Sequence, residues 1–168
     1  MAWPLIRQRP TGTTPTRRVR SRGVGISSIL ACPCGCSTRL AYARQHLGAR
    51  AGRDQWLVAD VRIWAPGRRY RVWHDRAVFH FLIIAEERRQ YLDVLESATE
   101  PGALAVFGCF APDGPRQCSG LPVARYAAHD LAGELGRRWT LISQDREEHH
   151  TPAGAIQPFT WAALRRQP

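Results

Sequence analysis

The sequence contains no lysine, although 24 of its 168 residues are basic, so every one of those residues is arginine. A preference of this strength is typical of a GC-rich coding sequence as well as of a need for guanidinium groups. The arginine count is therefore weak evidence for binding to nucleic acid. The sequence also lacks any apolar run near the roughly 20 residues that cross a bilayer, which excludes a membrane span.

Acidic residues are absent from the first 53 positions, which hold ten arginines. From Asp54 onward, 14 arginines balance 14 acidic residues, so the formal net charge of +10 arises entirely at the front of the chain. Positions 4–16 of that front are rich in proline and threonine, a composition that rarely buries enough apolar surface to fold alone. We predict a basic leader over residues 1–39, poorly ordered or aberrant, and one compact domain over residues 40–168.

Cysteine is too sparse and too unevenly spread for a disulfide framework, since three of the five cysteines form one C-x-C-x-C cluster at residues 32–36. With only His46 nearby, the cluster lacks the paired spacing of a zinc site, so we predict no metal. An export signal is a minor alternative, because Arg17 and Arg18 precede an apolar stretch at residues 23–31. That stretch is short and broken by glycine and serine, so we expect a cytoplasmic protein.

Beyond residue 40, helical and strand patterns alternate. Apolar residues at helical spacing predict helices at 40–47, at 85–100 before Pro101 and Gly102, and at 128–135 before Gly136. Short apolar runs predict strands at residues 55–61, 70–75, 103–111, 139–143 and 159–164. Alternation of this kind predicts an α/β sheet that is parallel in its interior, with an antiparallel final pair.

Two unusual segments then carry a resemblance to a known family. Residues 70–82, YRVWHDRAVFHFL, and residues 110–126, FAPDGPRQCSGLPVARY, resemble a subgroup of small bacterial class I methyltransferases that use S-adenosylmethionine. The resemblance extends over residues 40–166. It implies a Rossmann-like sheet, mostly parallel with an antiparallel last strand, that binds S-adenosylmethionine and transfers its methyl group to an unidentified acceptor, which we expect to be a small molecule.

The resemblance also implies roles for individual residues. Asp60, followed by Val61, matches the position whose carboxylate accepts a hydrogen bond from the adenine amino group; the structural alternative is a solvated strand-end Asp or a helix cap. The candidates near the sulfonium and the acceptor are His74, Asp75, Arg76 and His80. A carboxylate there favours the cation, and a histidine can act as a base. The structural alternative is that His74 and Arg76 bind backbone or Asp75, and that His80 is a half-buried, hydrogen-bonded histidine.

The front of the chain departs from the family. Gly23 and Gly25 match a remnant of the cofactor-binding glycine loop, but no acid is available for the ribose hydroxyls. Only nine residues separate Leu30 from Leu40, too few for the missing helix and strand. Either the protein is a truncated or diverged form that has lost cofactor binding, or residues 1–39 come from a shifted reading frame. We therefore expect incomplete N-terminal strands and weak cofactor binding, and the activity of this form stays open.

A second function class also fits the composition. A non-catalytic binding module would use the arginine-rich leader to contact nucleic acid or acidic partners. The leader has clustered charge but no interleaved aromatic residues after Trp3 and no recognised nucleic-acid fold, so such contacts would be nonspecific and salt-sensitive.

Overall fold

The computed structural model describes residues 6–8, 25–27, 41, 44–45, 48–49, 55–57, 59–151 and 153–168. A seven-stranded sheet in the order β3-β1-β2-β4-β5-β9-β8 forms its centre, and a small two-stranded sheet pairs β6 with β7. The strands are β1 Ile6–Gln8, β2 Gly25–Ser27, β3 Gln55–Leu57, β4 Tyr70–Arg76, β5 Thr99–Phe110, β6 Gln117–Cys118, β7 Leu121–Pro122, β8 Trp139–His150 and β9 Ile156–Arg166.

The strand directions confirm the predicted mixed sheet. Strands β2, β4 and β5 are parallel neighbours. The last strand, β9, runs antiparallel between β5 and β8. β1 is antiparallel to both β2 and β3, so β2, β3, β4, β5 and β8 all point the same way. Most of the leader and of the predicted helix at residues 40–47 lies outside the described residues, so the predicted boundary near residue 40 stays a prediction.

Two helices pack on one face of the sheet. Helix α1, Ala85–Ala98, buries Tyr91, Val94 and Leu95 against it, as its apolar spacing predicts. Helix α2, Ala128–Leu135, ends before Gly136, which adopts a φ of 75°. These helices and the sheet enclose a hydrophobic core whose largest fully buried side chains include Trp73, Tyr91, Phe79, Phe107 and Leu131.

The predicted end of α1 was wrong by two residues. The helix ends at Ala98, and Pro101 and Gly102 lie inside β5. Tyr70 pairs with Thr99 and Val72 pairs with Leu104, so the Pro-Gly pair lies in a bulge of β5. Gly102 has a φ of 77°, which an L side chain rarely adopts. The Pro-Gly pair therefore interrupts strand pairing and does not end the helix.

Strand β8 is also longer than predicted, because residues 144–150 are polar and show no apolar alternation. The antiparallel ladder with β9 nevertheless continues from Trp139 opposite Arg166 to His150 opposite Ile156. Most of this part of β8 is exposed at the edge of the sheet, where a strand needs backbone pairing but no apolar side chains. Neither α1 nor α2 is long and apolar enough to span a membrane.

Candidate functional site

The carboxyl ends of the aligned strands meet at one edge of the sheet, where open α/β folds bind their ligands. Ser27 of β2 pairs with His74 of β4, and Arg76 of β4 pairs with Gly108 of β5. The chain after β3 reaches the same edge and carries Asp60. The structure therefore brings the residues predicted in β4 and after β3 to one side of the molecule. Gly25 lies in β2 opposite Val72, and Gly23 lies outside the described residues.

Asp60 is partly exposed and is held by Arg62. The Arg62 backbone N–H and Nε donate to Oδ1 of Asp60 at 2.9 and 3.0 Å, and Nη2 donates to Oδ2 at 2.7 Å. These hydrogen bonds lower the pKa of Asp60 against the opposing effect of burial. Nη1 of Arg62 also pairs with Glu87, which ties the loop after β3 to the first turn of α1. Val61, the next residue, is fully buried in the core.

Asp75 lies on the helical face of the sheet, fully buried beside α1. Its carboxylate accepts hydrogen bonds from the Tyr91 hydroxyl at 2.5 Å and from the backbone N–H groups of Val78 at 3.0 Å and Phe79 at 3.2 Å. The indole N–H of Trp73 donates in turn to the Tyr91 oxygen at 2.8 Å. Burial raises the pKa of Asp75 to about 6. Asp75 therefore holds the turn after β4 in place from inside the core.

The turn that Asp75 holds contains a 3-10 helix, Phe79–Phe81, and His80 is fully buried in it. The His80 ring lies 4.6 Å from the Phe81 ring and 4.9 Å from the Phe110 ring, measured between centroids. Neither of its nitrogens has a hydrogen-bond partner among the described residues, in contrast to the predicted hydrogen-bonded histidine. Burial lowers the pKa of His80 to about 4, below the near-neutral range expected for a base.

The two segments that carry the resemblance meet at this turn. The Ala124 N–H donates to the His80 carbonyl at 2.8 Å, and the Tyr126 N–H donates to the Phe110 carbonyl at 2.9 Å. Residues 111–126 therefore form a loop that leaves the end of β5 and returns to it against the 3-10 helix. Ser119 and Gly120, with φ values of 53° and 79°, form the tight turn between β6 and β7.

Arg76 and His74 lie on the opposite face of the sheet from Asp75, because strand residues alternate. His74 is half-buried, with its ring 5.9 Å from that of Trp161, and burial together with the Arg76 charge lowers its pKa. The alternative in which these two residues bind Asp75 is therefore wrong. Gly108 of β5 lies between its two pairing partners, Arg76 of β4 and Trp161 of β9, and the Trp161 indole lies directly over this glycine.

Arg76 is the centre of a cluster from three strands. Its guanidinium carbon lies 5.1 Å from the Phe159 ring centroid and 6.0 Å from that of Trp161. Nη2 of Arg76 approaches Oε1 of Glu147 and Nδ1 of His149, each at 3.3 Å. The Trp161 indole N–H donates to Oε2 of Glu147 at 2.7 Å. We call these five side chains the Arg76 cluster.

Sequence reasoning missed the partners of Arg76 in β8 and β9. The signal was the alternation of Glu147 and His149 along one strand, matched by Phe159 and Trp161 along the next. The cluster requires a residue without a side chain at position 108, because a Cβ on Gly108 would lie 2.8 Å from ring atoms of Trp161. Among the described residues there is no group of three or more side chains that could hold a metal ion.

We expect Gly108→Ala to lower the free energy of unfolding by about 1 to 3 kcal/mol, because Trp161 must move off the sheet and lose its bond to Glu147. Urea unfolding checks this value. Gly133→Ala in α2 is the matched control, since no atom lies within 4 Å of its added Cβ. In a helix interior that change should stabilise by about 0.5 to 1 kcal/mol. An unchanged stability of Gly108→Ala would show that the indole is not held over the glycine.

A shallow groove of about 360 Å³ opens at the same end of the molecule, on the helical face. It is lined by Pro112, the start of α2, residues 144–146 of β8, and Thr160 of β9. Near it, Arg146 donates to both oxygens of Asp113, at 3.0 and 2.8 Å. Among the described residues, the groove thus lies on the helical face of the carboxyl edge and the Arg76 cluster lies on the other face.

Several solved structures that share this architecture are methyltransferases. The glycopeptide N-methyltransferase MtfA aligns with a TM-score of 0.62 at 12% identity, over 84% of this chain and 78% of its own. The N-methyltransferase NodS from Bradyrhizobium japonicum aligns with a TM-score of 0.61 at 16% identity, over 84% and 73%. The 1,6-didemethyltoxoflavin-N1-methyltransferase from Burkholderia thailandensis aligns with a TM-score of 0.56 at 16% identity, over 86% and 61%.

The chain therefore has the fold of the S-adenosylmethionine-dependent methyltransferases, as the resemblance of its two segments implies. It aligns with 63% of the length of a protein that converts a disulfide bond into a thioacetal group in echinomycin biosynthesis. No protein-family model matches the sequence, and no curated protein matches it.

Proposed function

We propose that this protein transfers a methyl group from S-adenosylmethionine to a small-molecule acceptor. The observation that carries the proposal is the methyltransferase fold, together with the polar and aromatic side chains gathered at the carboxyl edge of its sheet. The Burkholderia thailandensis methyltransferase was solved with bound S-adenosylhomocysteine and 1,6-didemethyltoxoflavin, and NodS was also solved with S-adenosylhomocysteine. 1,6-Didemethyltoxoflavin is a small molecule, which supports a small-molecule acceptor here.

The residues present at this edge suit part of the cofactor. Asp60 is ionised at neutral pH and partly exposed, and a carboxylate of this kind can accept a hydrogen bond from an adenine amino group. Arg62 now bonds to both oxygens of Asp60, so adenine would share the carboxylate with Arg62. Bound S-adenosylmethionine supplies an electrophilic methyl group, and its transfer depends mainly on alignment with the acceptor.

The chain's own residues provide that alignment in two ways. Asp75 holds the backbone of the turn that carries His80, so the end of β4 keeps one shape without facing the ligand. Arg76 and His74 face the other surface of the same strand, where the acceptor can approach. No acid precedes Asp54 in the sequence, so a ribose carboxylate from the front of the chain is missing and cofactor affinity should be low.

Calorimetric titration with S-adenosylhomocysteine tests this function. We expect the full chain to bind it weakly, with a Kd of roughly 0.1 to 1 mM, because the missing ribose hydrogen bonds are each worth about 1 to 3 kcal/mol. Asp60→Ala should weaken binding by about tenfold or more, through loss of a charge-assisted hydrogen bond. The control Asp93→Ala changes an exposed carboxylate of α1 and should leave the Kd unchanged.

Arg62→Ala separates a direct role of Asp60 from an indirect one. If Asp60 contacts adenine, removing Arg62 frees the carboxylate and keeps or improves the affinity. If Asp60 serves only to hold Arg62, both variants should lose affinity equally, which would remove the adenine assignment. The absence of saturable binding by the full chain at millimolar ligand would contradict the proposed methyltransferase function.

The alternative of a nucleic-acid-binding leader gains no support from the described residues, and most of the leader arginines lie outside them. It stays a prediction, and no observation on the sheet or its carboxyl edge favours it over methyl transfer.

A further inference from the structure

Arg76 uses fewer of its side-chain donors than Arg62 or Arg146. Arg62 engages all three of its side-chain nitrogens with two carboxylates. Arg146 uses both of its terminal nitrogens on Asp113. Arg76 uses Nη2 alone, at 3.3 Å, and its Nε and Nη1 groups have no hydrogen-bond partner among the described residues. Toward the described part of the chain, Arg76 therefore keeps unused N–H donors.

The guanidinium of Arg76 is nevertheless held in place. The rings of Phe159 and Trp161 lie beneath it, and Glu147 and His149 approach its Nη2. Glu147 is itself fixed by the indole N–H of Trp161. A charged donor group with restricted motion loses little entropy when it binds a ligand, which is an advantage for recognition.

The exposure of Arg76 leaves its unused donors accessible. The side chain is 41% exposed, although the rings of Phe159 and Trp161 lie beneath its guanidinium. Arg76 is the last residue of β4, at the edge where open α/β folds bind ligands. It lies two residues beyond His74, which pairs with the last residue of β2. A ligand held by Arg76 would therefore lie at this edge, near the ends of β2 and β4.

The chemistry of the cluster favours a carboxylate as the group that Arg76 binds. Guanidinium N–H groups match the planar oxygens of a carboxylate and form charge-assisted hydrogen bonds with them. The nearby Glu147 carries a negative charge of its own, which disfavours a doubly charged phosphate more than a singly charged carboxylate.

We propose that the methyl acceptor carries a carboxylate and that Arg76 binds this group, with the Arg76 cluster holding the guanidinium in position. This inference rests on the proposed function, since it identifies the acceptor class of that site. It makes Arg76 a determinant of acceptor specificity, whereas Asp75, its neighbour in sequence, acts only from inside the core.

The test uses 4-fluorobenzoate as the carboxylate probe and 4-fluorobenzamide as its uncharged counterpart, titrated into the full chain and followed by fluorine NMR. We expect the benzoate to bind about tenfold more tightly than the benzamide, the benefit of one charge-assisted contact. Arg76→Gln should remove that difference in affinity. Arg76→Lys should keep only part of it, because lysine has a positive charge but lacks the planar set of donors of a guanidinium group. The control Arg138→Gln changes an exposed arginine of another surface and should keep the full difference.

Equal affinity for the two probes, or a benzoate affinity that survives Arg76→Gln, would overturn the proposal. Calorimetry with S-adenosylhomocysteine on the same variants separates this outcome from failure of the proposed function. Cofactor binding without an Arg76-dependent preference for benzoate contradicts the acceptor assignment alone. An Arg76-dependent preference in a chain that does not bind S-adenosylhomocysteine supports a carboxylate site and contradicts methyl transfer. Thermal unfolding of each variant verifies that it is folded.

Discussion

Asp75→Ala is expected to lower the free energy of unfolding by about 3 to 5 kcal/mol, since three buried donors lose their acceptor together. The donors are the Tyr91 hydroxyl and the backbone N–H groups of Val78 and Phe79, none of which can reach water in the packed core. The loss should also release the 3-10 helix that carries His80. Urea unfolding gives the change in free energy, and hydrogen exchange of the Val78 and Phe79 amides reports the release of the turn.

Asp75→Asn is the informative companion, because its remaining oxygen can still accept some of these hydrogen bonds. It should cost clearly less than Asp75→Ala. Asp93→Ala, on the exposed face of α1, should change the free energy of unfolding by less than about 0.5 kcal/mol. If Asp75→Ala proved as stable as Asp93→Ala, the hydrogen bonds of the turn would contribute nothing measurable and another contact would hold it.

Asp75 and His80 should make opposite contributions to the pH dependence of the unfolding free energy, and the two contributions should be similar in size. The pKa of Asp75 rises from 3.8 to about 6 on folding, so its contribution to stability is lost as the pH rises from about 4 to about 6. The pKa of His80 falls from 6.5 to about 4, so its contribution is lost as the pH falls over the range from 6.5 to 4. Each shift corresponds to about 3 kcal/mol. The two effects should largely cancel in the unmodified chain.

Variants that remove one group at a time expose the other. Relative to the unmodified chain, Asp75→Asn should lose about 3 kcal/mol of unfolding free energy between pH 7 and pH 4, because protonation of Asp75 no longer offsets that of His80. His80→Leu should instead gain about the same amount over that range, because protonation of His80 no longer opposes that of Asp75. Urea unfolding at several pH values between 4 and 7 measures both differences. If the unfolding free energies of both variants change with pH in the same way as that of the unmodified chain, Asp75 and His80 do not have the shifted pKa values that their burial implies.

The sequence by itself determined most of the elements around the core. The apolar spacing of residues 85–100 and 128–135 predicted α1, with an end two residues too late, and α2, and the apolar runs predicted β4, most of β5 and part of β9. Local pattern was sufficient there because each of these elements buries one face or both against the same core, and burial is what the apolar periodicity records. The two segments resembling methyltransferases also predicted the fold and the edge that carries the candidate site.

Tertiary structure alone decided which surface each candidate side chain faces. His74, Asp75 and Arg76 are consecutive, yet alternation along β4 directs Asp75 toward Tyr91 of α1 and directs Arg76 toward the open face. The direction of a strand face depends on what packs on either side, which three adjacent polar residues do not reveal.

The partners of Arg76 were also beyond the reach of sequence reasoning. Glu147 and Trp161 are 71 and 85 positions away in the chain, and they reach Arg76 only because β9 enters the sheet between β5 and β8. The bare backbone at Gly108 then lets side chains of β4 and β9 meet across the strand between them. Contacts of this kind arise from strand order and register, which are set by long-range pairing and leave no local pattern in the sequence.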